Sequence, residues 1–425
     1  MNDSYIQRIV DVELDELLPQ LPAISLEGPK GVGKTETARR RAEVVYSLDD
    51  PAQRAVLEAD PARILQGASP LLVDEWQRVP EVWDVIRRAV DRGAGPSRFL
   101  LTGSASPREI PTHSGAGRIV TVRMRPLSLA ERGLDTPTVS IGELLRGGAP
   151  VLEGETAIRL ENYTDEIVRS GFPGLRNYSG RALRAQLDGY LHRIIERDFE
   201  EQGVPVRRPE TLRRWLAAYA GATATTASFE AIRDAATGGE GDKPAKTTTQ
   251  PWRDALERLW IVDALPAWMP SANHMNRLAQ SPKHHLADPA LAARLLGLDA
   301  SALLDGREGR IVPSRAGSML GRLFESLVTL SIRTLAQVHE ATLRHLRQHS
   351  GATEIDLIIE RKDGRILAIE VKLARTVSDH DVRPLLWLKQ QIGDQLLDAI
   401  VVHTGPHAYR RDDGIGVVPA ALLGL

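Results

Sequence analysis

An α/β fold assembled from more than one unit is the reading that three features of this sequence require. Short apolar strands alternate with helical stretches from about Tyr5 to Arg125, a complete G-x-x-x-x-G-K-T loop follows the first of those strands, and a second run of helix, strands, helix and strand occupies the chain beyond Ser314. At 425 residues the chain exceeds one ordinary core. With roughly 100–200 residues per domain it has room for about three.

The first strand is Ala23-Ile24-Ser25-Leu26, and the loop is Gly28-Pro29-Lys30-Gly31-Val32-Gly33-Lys34-Thr35, opening a helix-compatible run from Glu36 to Arg41. Glycines let successive backbone N–H groups turn inward around phosphate oxygens, Lys34 meets the β- and γ-phosphates, and the Thr35 hydroxyl is a magnesium ligand. The stretch from Gly28 to Glu36 is therefore expected to bind ATP with Mg2+. Val44-Val45-Tyr46-Ser47-Leu48 reads as the second strand, Leu71-Leu72-Val73 as the third and Phe99-Leu100-Leu101-Thr102 as the fourth, with a helix over Pro80 to Asp91. Runs this apolar belong to strands covered on both faces.

A phosphate loop alone does not hydrolyse; it needs one carboxylate for the metal and another to polarise water. Asp74 ends the third strand, where it reaches the magnesium shell, and Glu75 follows as catalytic base. Thr102-Gly103-Ser104 closes the fourth strand, and a hydroxyl of Thr102 or Ser104 is placed to sense the γ-phosphate; the same tripeptide is also ordinary turn chemistry. Arg118 is a candidate arginine finger acting in trans, and a solvated surface arginine is the competing reading.

Composition bounds the rest. A net charge of −2 with 26% charged residues excludes a polycation, so any nucleic-acid surface is a local patch. There is no cysteine, which removes disulfides, thiolate nucleophiles and Cys-based zinc sites and suits a reducing cytoplasm. The N-terminus lacks a secretion-signal pattern and no run approaches the ~18 apolar residues of a membrane span, so a cytoplasmic protein with no membrane partner is expected. The histidines show no metal-ligand spacing. His345 and His349 read as solvated side chains across a strand and its turn, and His284-His285 as a strand edge or loop.

Ser47-Leu48-Asp49-Asp50-Pro51, then Val73-Asp74-Glu75-Trp76-Gln77-Arg78-Val79-Pro80, Leu101-Thr102-Gly103-Ser104, Arg125-Pro126-Leu127-Ser128 and Glu131 resemble the prokaryotic AAA-type ATP-binding proteins that carry a C-terminal domain of unknown function, the DUF4143 family. Gly171-Phe172-Pro173-Gly174, His285-Leu286-Ala287-Asp288 and Ile369-Glu370-Val371-Lys372 resemble its downstream landmarks, so the likeness extends over most of the chain. It implies an AAA-like P-loop ATPase core over residues 1–135, a helical connecting segment over 136–210, a winged-helix-like domain over 211–270 and a PD-(D/E)XK nuclease-like α/β domain over 271–425. It also suggests a nucleotide-dependent homo-oligomer, because a trans arginine requires a neighbour.

From Glu161 to about Ala222 the pattern is helical, with Leu183, Leu187, Tyr190, Leu191 and Ile194 at helical spacing. Beyond it, Ser228 to Ile232 would be the second helix of the winged-helix segment, Thr247 to Leu259 its recognition helix, and Leu259-Trp260-Ile261-Val262 the entry to the wing. The Gly- and charge-rich insert from Thr237 to Lys246 separates the two helices. Lys243, Lys246 and Arg253, with Arg207, Arg208, Arg213 and Arg214 nearby, are candidates for DNA phosphates; solvated charge is the other reading.

In the C-terminal unit a helix passes through Phe324 and Glu325, strands run over Thr342 to Arg347, Glu354 to Glu360 and Ile366 to Lys372, a helix lies near Val382 to Gln391 and a strand over Ala399 to His403. Glu370 and Lys372, two apart on a strand, share a face, and the hairpin through Asp363-Gly364 sets Asp356 beside them. Glu-x-Lys alone says little, since another stands at Glu360-Arg361-Lys362; the order Glu325, Asp356, Glu370, Lys372 in an apolar frame resembles the PD-(D/E)XK fold. There Asp356 and Glu370 would hold Mg2+ or Mn2+ and Lys372 would activate water against a phosphodiester. The functional expectation is an ATPase whose cycle controls a C-terminal half acting on DNA, with metal-dependent cleavage. The alternatives are a non-nucleolytic ATP-dependent switch binding nucleic acid or a protein, and a signalling NTPase acting on protein partners.

Overall fold

The computed structural model describes residues 5–104, 115–237, 243–269, 281–305, 318–348 and 353–425. The N-terminal unit is a parallel sheet of β1 (Ala23–Glu27), β2 (Val44–Ser47), β3 (Leu71–Asp74), β4 (Phe99–Gly103) and β5 (Val120–Arg123), in the order β2-β3-β4-β1-β5. Alternation along these strands sends Leu71, Val73, Phe99 and Leu101 to a face covered by Val82, Trp83 and Ile86 of the Glu81–Asp91 helix. Ile24, Leu26, Leu72 and Leu100 go to the other face, which merges with the rest of the molecule's core. Both faces are buried, as continuous apolar runs require.

Insertion of β4 between β1 and β3 sets the positions of the functional side chains. In register, Thr102 lies opposite Leu26 on one side and Asp74 on the other. The loop after β1 and the acidic pair after β3 thus flank the end of β4, where open parallel sheets bind ligands.

Helices Leu160–Arg169 and Gly180–Arg193 follow, the second running on through a π-helical turn, Ile194–Asp198. Three more, Pro209–Gly221, Phe229–Ala235 and Lys246–Arg258, form a cluster closed by extended segments. Val262 bridges Leu286 and Leu265 bridges Lys283, both antiparallel, while Thr223 bridges His284 in parallel.

After a two-residue strand, β6 (Val139–Ser140), the C-terminal sheet has seven strands, β7 (Gly154–Glu155), β8 (Thr342–Arg347), β9 (Glu354–Glu360), β10 (Ile366–Lys372), β11 (Leu396–His403), β12 (His407–Arg410) and β13 (Gly416–Pro419), in the order β7-β12-β13-β11-β10-β9-β8. One face packs on the Met319–Val338 helix through Leu323, Phe324 and Leu327; the other packs on the Asp379–Ile392 helix through Val382, Leu385 and Leu388. The 136–210 segment is not only helical. Besides β7, which closes one edge of that sheet, its two-residue strand at Val139–Ser140 pairs with Leu423–Gly424 in a separate two-stranded sheet.

Candidate functional site

The phosphate loop is shaped by one contact that leaves no room for a side chain and by two positive backbone φ angles. A Cβ on Gly28 would lie 2.0 Å from the Met124 carbonyl oxygen, and Gly31 and Gly33 adopt φ of +83° and +98°, which L residues avoid. Lys34 begins the next helix and folds back to donate to the carbonyls of Gly28 and Pro29, 2.8 Å each. Burial pushes its ammonium down to about 8, against the pull of Glu75 and Asp74.

Thr35 donates to Asp74 Oδ1 at 2.8 Å, and Thr102 donates to the same oxygen. Glu75 stands in the left-handed region, φ +56°, and its carboxylate accepts from Ser104 Oγ at 2.9 Å and from the Gln77 amide. A non-glycine residue held there by its neighbours marks a position where geometry is kept at a cost. Of the two hydroxyls offered as sensors, Thr102 is turned to the metal-side carboxylate and Ser104 to the candidate base. The residues fit a magnesium nucleotide: a glycine cradle, a buried lysine, and a Thr–Asp pair with oxygen ligands.

Beside the loop a cleft of about 470 Å³ lies between Tyr5, Ile6 and Arg8 on one side, Gly33, Glu36 and Thr37 below, and Pro173, Gly174, Arg176 and Asn177 on the other. Arg8 was not singled out by its sequence context, yet it braces the loop. Its buried guanidinium donates to the carbonyls of Val32 and Arg125, 2.6 Å each, and to Glu131 at 2.9 Å. Lys30, on the loop's outer side, pairs with Asp198 at 2.6 Å and Glu201 at 3.3 Å, so the helical segment grips the loop as well.

Arg118 does not reach this loop. It precedes β5, whose Val120 pairs with Ile24 near the start of β1, so about 15 Å of strand separates it from the loop end. There it pairs with Asp91 at 2.8 Å and is half-exposed.

The C-terminal residues Glu325, Asp356, Glu370 and Lys372 come together, with an occupant the sequence reading did not include. Lys283, 1% exposed, donates to Glu325 at 2.8 Å, Glu354 at 2.9 Å and Asp356 Oδ1 at 2.9 Å. Asp356 Oδ2 accepts from the Val371 N–H at 3.0 Å, and Lys372 pairs with Glu370 Oε1 at 2.6 Å. Burial raises Glu325 and Glu370 to about 8 each, with Asp356 adding to both. Burial would raise Asp356 too, but Lys283 and Lys372 outweigh it and hold it below its ordinary value.

With Lys283 in place the expected Mg2+ or Mn2+ does not fit, because the Lys283 ammonium stands 2.9 Å from Asp356 Oδ1 and its charge would face the ion at close range. Among the described residues no cluster of three or more His, Asp or Glu is arranged to hold a metal. The only sequence hint of Lys283 was its position two residues before the His285-Leu286-Ala287-Asp288 landmark.

Several histidine and lysine expectations need correction. His345 is not solvated: it is 1% exposed on β8, its Nε2 is 3.2 Å from the Ser281 carbonyl, and burial pushes it down to about 4. His284 and His285 do lie in an extended, bridge-forming stretch outside the named strands, as expected, and both are buried, the first against Tyr219 and the second against Ser326. His349 and Gly238 to Asp242 of the polar insert lie outside the described residues. Lys243 is engaged by Glu230 and Asp234, and Arg253 lies over the Phe229 ring at 4.4 Å, so neither is a free phosphate ligand. Lys246 remains exposed at the start of its helix.

A charged junction joins the units. Asp263, buried, accepts from Arg123 at 3.1 Å, Arg125 at 3.1 Å and Arg333, drawing together β5, the segment after the third helix of the cluster and the Met319–Val338 helix. Burial would raise its carboxyl, but the three guanidiniums hold it well below the usual range. Asp288 makes a second tie, accepting from Ser170 Oγ at 2.9 Å and the Gly171 N–H at 2.5 Å.

Comparison with known proteins divides the chain into three matched stretches. Residues 20–132 match the AAA domain family, 160–302 a domain of unknown function (DUF8612) and 320–423 a domain of unknown function (DUF4143). Uncharacterized proteins of Mycobacterium tuberculosis and Mycobacterium bovis are each 29% identical over 424 residues, covering 97% of this chain and 83% of theirs. A solved replication initiator, DnaA bound to AMPPCP and single-stranded DNA, is 17% identical and covers 58% of this chain and 86% of that one, at a TM-score of 0.23. That score says nothing of this chain's fold or ligands.

Proposed function

As an AAA-type ATP-binding protein with a DUF4143 domain at its C-terminal end, this chain, we propose, hydrolyses ATP and uses the nucleotide cycle to control a winged-helix and nuclease-like half that acts on DNA. The observation that carries the hydrolytic part is the convergence of Thr35, Asp74 and Thr102 on one side of the loop and Glu75, Ser104 and Gln77 on the other. Lys34 would leave the Gly28 and Pro29 carbonyls for the β- and γ-phosphates, and Thr35 with Asp74 would hold Mg2+. The metal, when bound, neutralises charge on the phosphates. Glu75, steadied by Ser104 and Gln77, would orient the attacking water and take its proton. The cleft between Tyr5 and Arg176 suits the nucleoside. Arg118, half-exposed on a distant edge, would serve only a neighbouring copy, in a nucleotide-dependent homo-oligomer.

The winged-helix reading is supported by three clustered helices followed by two antiparallel bridges, with Lys246, Thr247, Thr248 and Gln250 exposed on the third helix. The nuclease-like reading is supported by Glu325, Asp356, Glu370 and Lys372 meeting across one helix and two strands. One observation favours a second reading, the non-nucleolytic switch: a lysine ammonium faces the carboxylates that cleavage would need for metal. The test measures ATP hydrolysis, DNA binding by anisotropy with ATP or ADP, and plasmid cutting in Mg2+ or Mn2+. Glu75→Gln should keep nucleotide binding and lose ~100-fold or more in hydrolysis, while Lys34→Ala should lose binding. Unchanged turnover in Glu75→Gln would remove the hydrolytic assignment, and DNA affinity indifferent to nucleotide would remove the coupling.

A further inference from the structure

We infer that Lys283 is the resident cation of the C-terminal carboxylate cluster, and that a divalent metal enters only when the segment carrying Lys283 withdraws. The inference deepens the nuclease-like reading of the site and rests on it for the identity of the carboxylates, but not on whether DNA is cut.

An ammonium has three N–H donors and no more. Lys283 gives one each to Glu325, Glu354 and Asp356, all within 2.9 Å, in a pocket that leaves it 1% exposed. A fully satisfied buried ammonium has no reason to leave, and removing its partners would leave an uncompensated charge. The second lysine, Lys372, is committed to Glu370 Oε1.

Four carboxylates face these two ammoniums, and one buried acceptor is left over: Glu370 Oε2 has no hydrogen-bond partner, although Glu370 is only 5% exposed. An orphaned buried carboxylate oxygen points to a missing ligand. Carboxylate oxygens are what Mg2+ and Mn2+ take, so a metal bound by Glu370 would need Asp356 as its second ligand. Lys283 already stands 2.9 Å from Asp356 Oδ1. A dication bound at Asp356 would face that ammonium within a few ångströms, and like charges that close repel strongly in a low-dielectric pocket. Occupancy by Lys283 and by metal is therefore mutually exclusive.

The lever is also visible. Lys283 pairs through its backbone with Leu265, donating and accepting at 2.9 and 2.8 Å, and its neighbour His284 pairs with the Thr223–Thr225 segment. Both partners belong to the helical cluster between residues 209 and 267. Movement of that cluster relative to the C-terminal sheet would carry the ammonium out of the carboxylates and open Asp356 to metal.

The test uses the full chain without nucleotide, titrated with Mn2+ and read by the EPR signal of the free ion. Wild type should show no tight site, and Lys283→Met should gain one Mn2+ per chain with an affinity at least ~10-fold higher than wild type. Adding Glu370→Gln to Lys283→Met should abolish that gain. A Lys283→Met protein that folds and binds no Mn2+ overturns the inference. A second measurement needs no variant at position 283: Mn2+ should leave the wild-type melting temperature unchanged. A Mn2+-dependent rise in wild type that survives Lys34→Ala and is lost in Glu370→Gln overturns it equally. Plasmid cutting, scored separately, bears on the nuclease-like reading alone.

Discussion

Lys34 shows how one side chain can be stored in readiness for a ligand. Its ammonium is spent on the carbonyls of its own loop and is pushed down to about 8 by burial. A triphosphate would restore the charged form, so proton uptake should accompany ATP binding: roughly half a proton per nucleotide at pH 8 and almost none near pH 6. Calorimetry in buffers of different ionisation enthalpy measures this, and an uptake that does not change between the two pH values would contradict it. Gly28 offers a second check. Alanine there would place a methyl 2.0 Å from a backbone oxygen, so Gly28→Ala should cost on the order of 1–3 kcal/mol in urea unfolding and weaken nucleotide binding together. Both roles were legible from the motif, because the loop's spelling states its chemistry. Arg8 and Lys283 were not, because a lone buried cation has no spacing to betray it; only the fold brings Val32 to one and Asp356 to the other.

At the scale of elements, legibility followed apolar periodicity. Thr342–Arg347, Glu354–Glu360 and Ile366–Lys372 are strands at the residues where alternation and hydrophobic runs place them. The pairs Val139–Ser140 and Gly154–Glu155 are too short to carry any pattern, and their pairing is dictated by distant strands. Burial of His345 was hidden for a related reason: strand alternation predicts a face, but not the cover that the Ser281 segment lays over it. The Lys246–Arg258 helix is the element to test for nucleic-acid contact. Its exposed start carries Lys246, whereas Lys243 and Arg253 are committed internally. Lys246→Glu should therefore weaken DNA binding across sequences and lower the salt slope by about one unit, and Lys243→Ala should leave the slope alone. Anisotropy titrations from low to moderate salt separate the two outcomes.

At the scale of the molecule, Asp263 makes three units answer to one charge. Arg123 and Arg125 flank Met124, whose carbonyl closes over Gly28, while Arg333 sits in the helix that supports the C-terminal sheet. Asp263→Ala strands these guanidiniums and should cost ~3–5 kcal/mol. The pH dependence follows from a carboxyl held low in the fold: its stabilisation is complete above its unfolded value near ~3.9 and is lost as pH falls below that. Wild type and Asp263→Asn should thus differ most in urea melts at neutral pH and converge in acid; a constant gap would contradict the account. The linkage also gives nucleotide state at Gly28 a short route to Lys283, through the Met124 carbonyl, the ion pairs of Arg123 and Arg125 with Asp263 and the backbone hydrogen bonds between Leu265 and Lys283.

The edge pairing of Gly154–Glu155 with His407–Arg410 has a consequence for biosynthesis. The two partners are separated by roughly 250 residues, which at ~5–20 residues per second leaves the first waiting on the order of ten to fifty seconds on the ribosome. During that interval the phosphate-loop sheet, whose strands all lie upstream, can form on its own, while the connecting segment has an open edge. Assembly of this protein is thus ordered in time, the phosphate-loop strands first and the pairing of the connecting segment with the C-terminal sheet last, and nascent chains should be most exposed to chaperones and proteases between those two events.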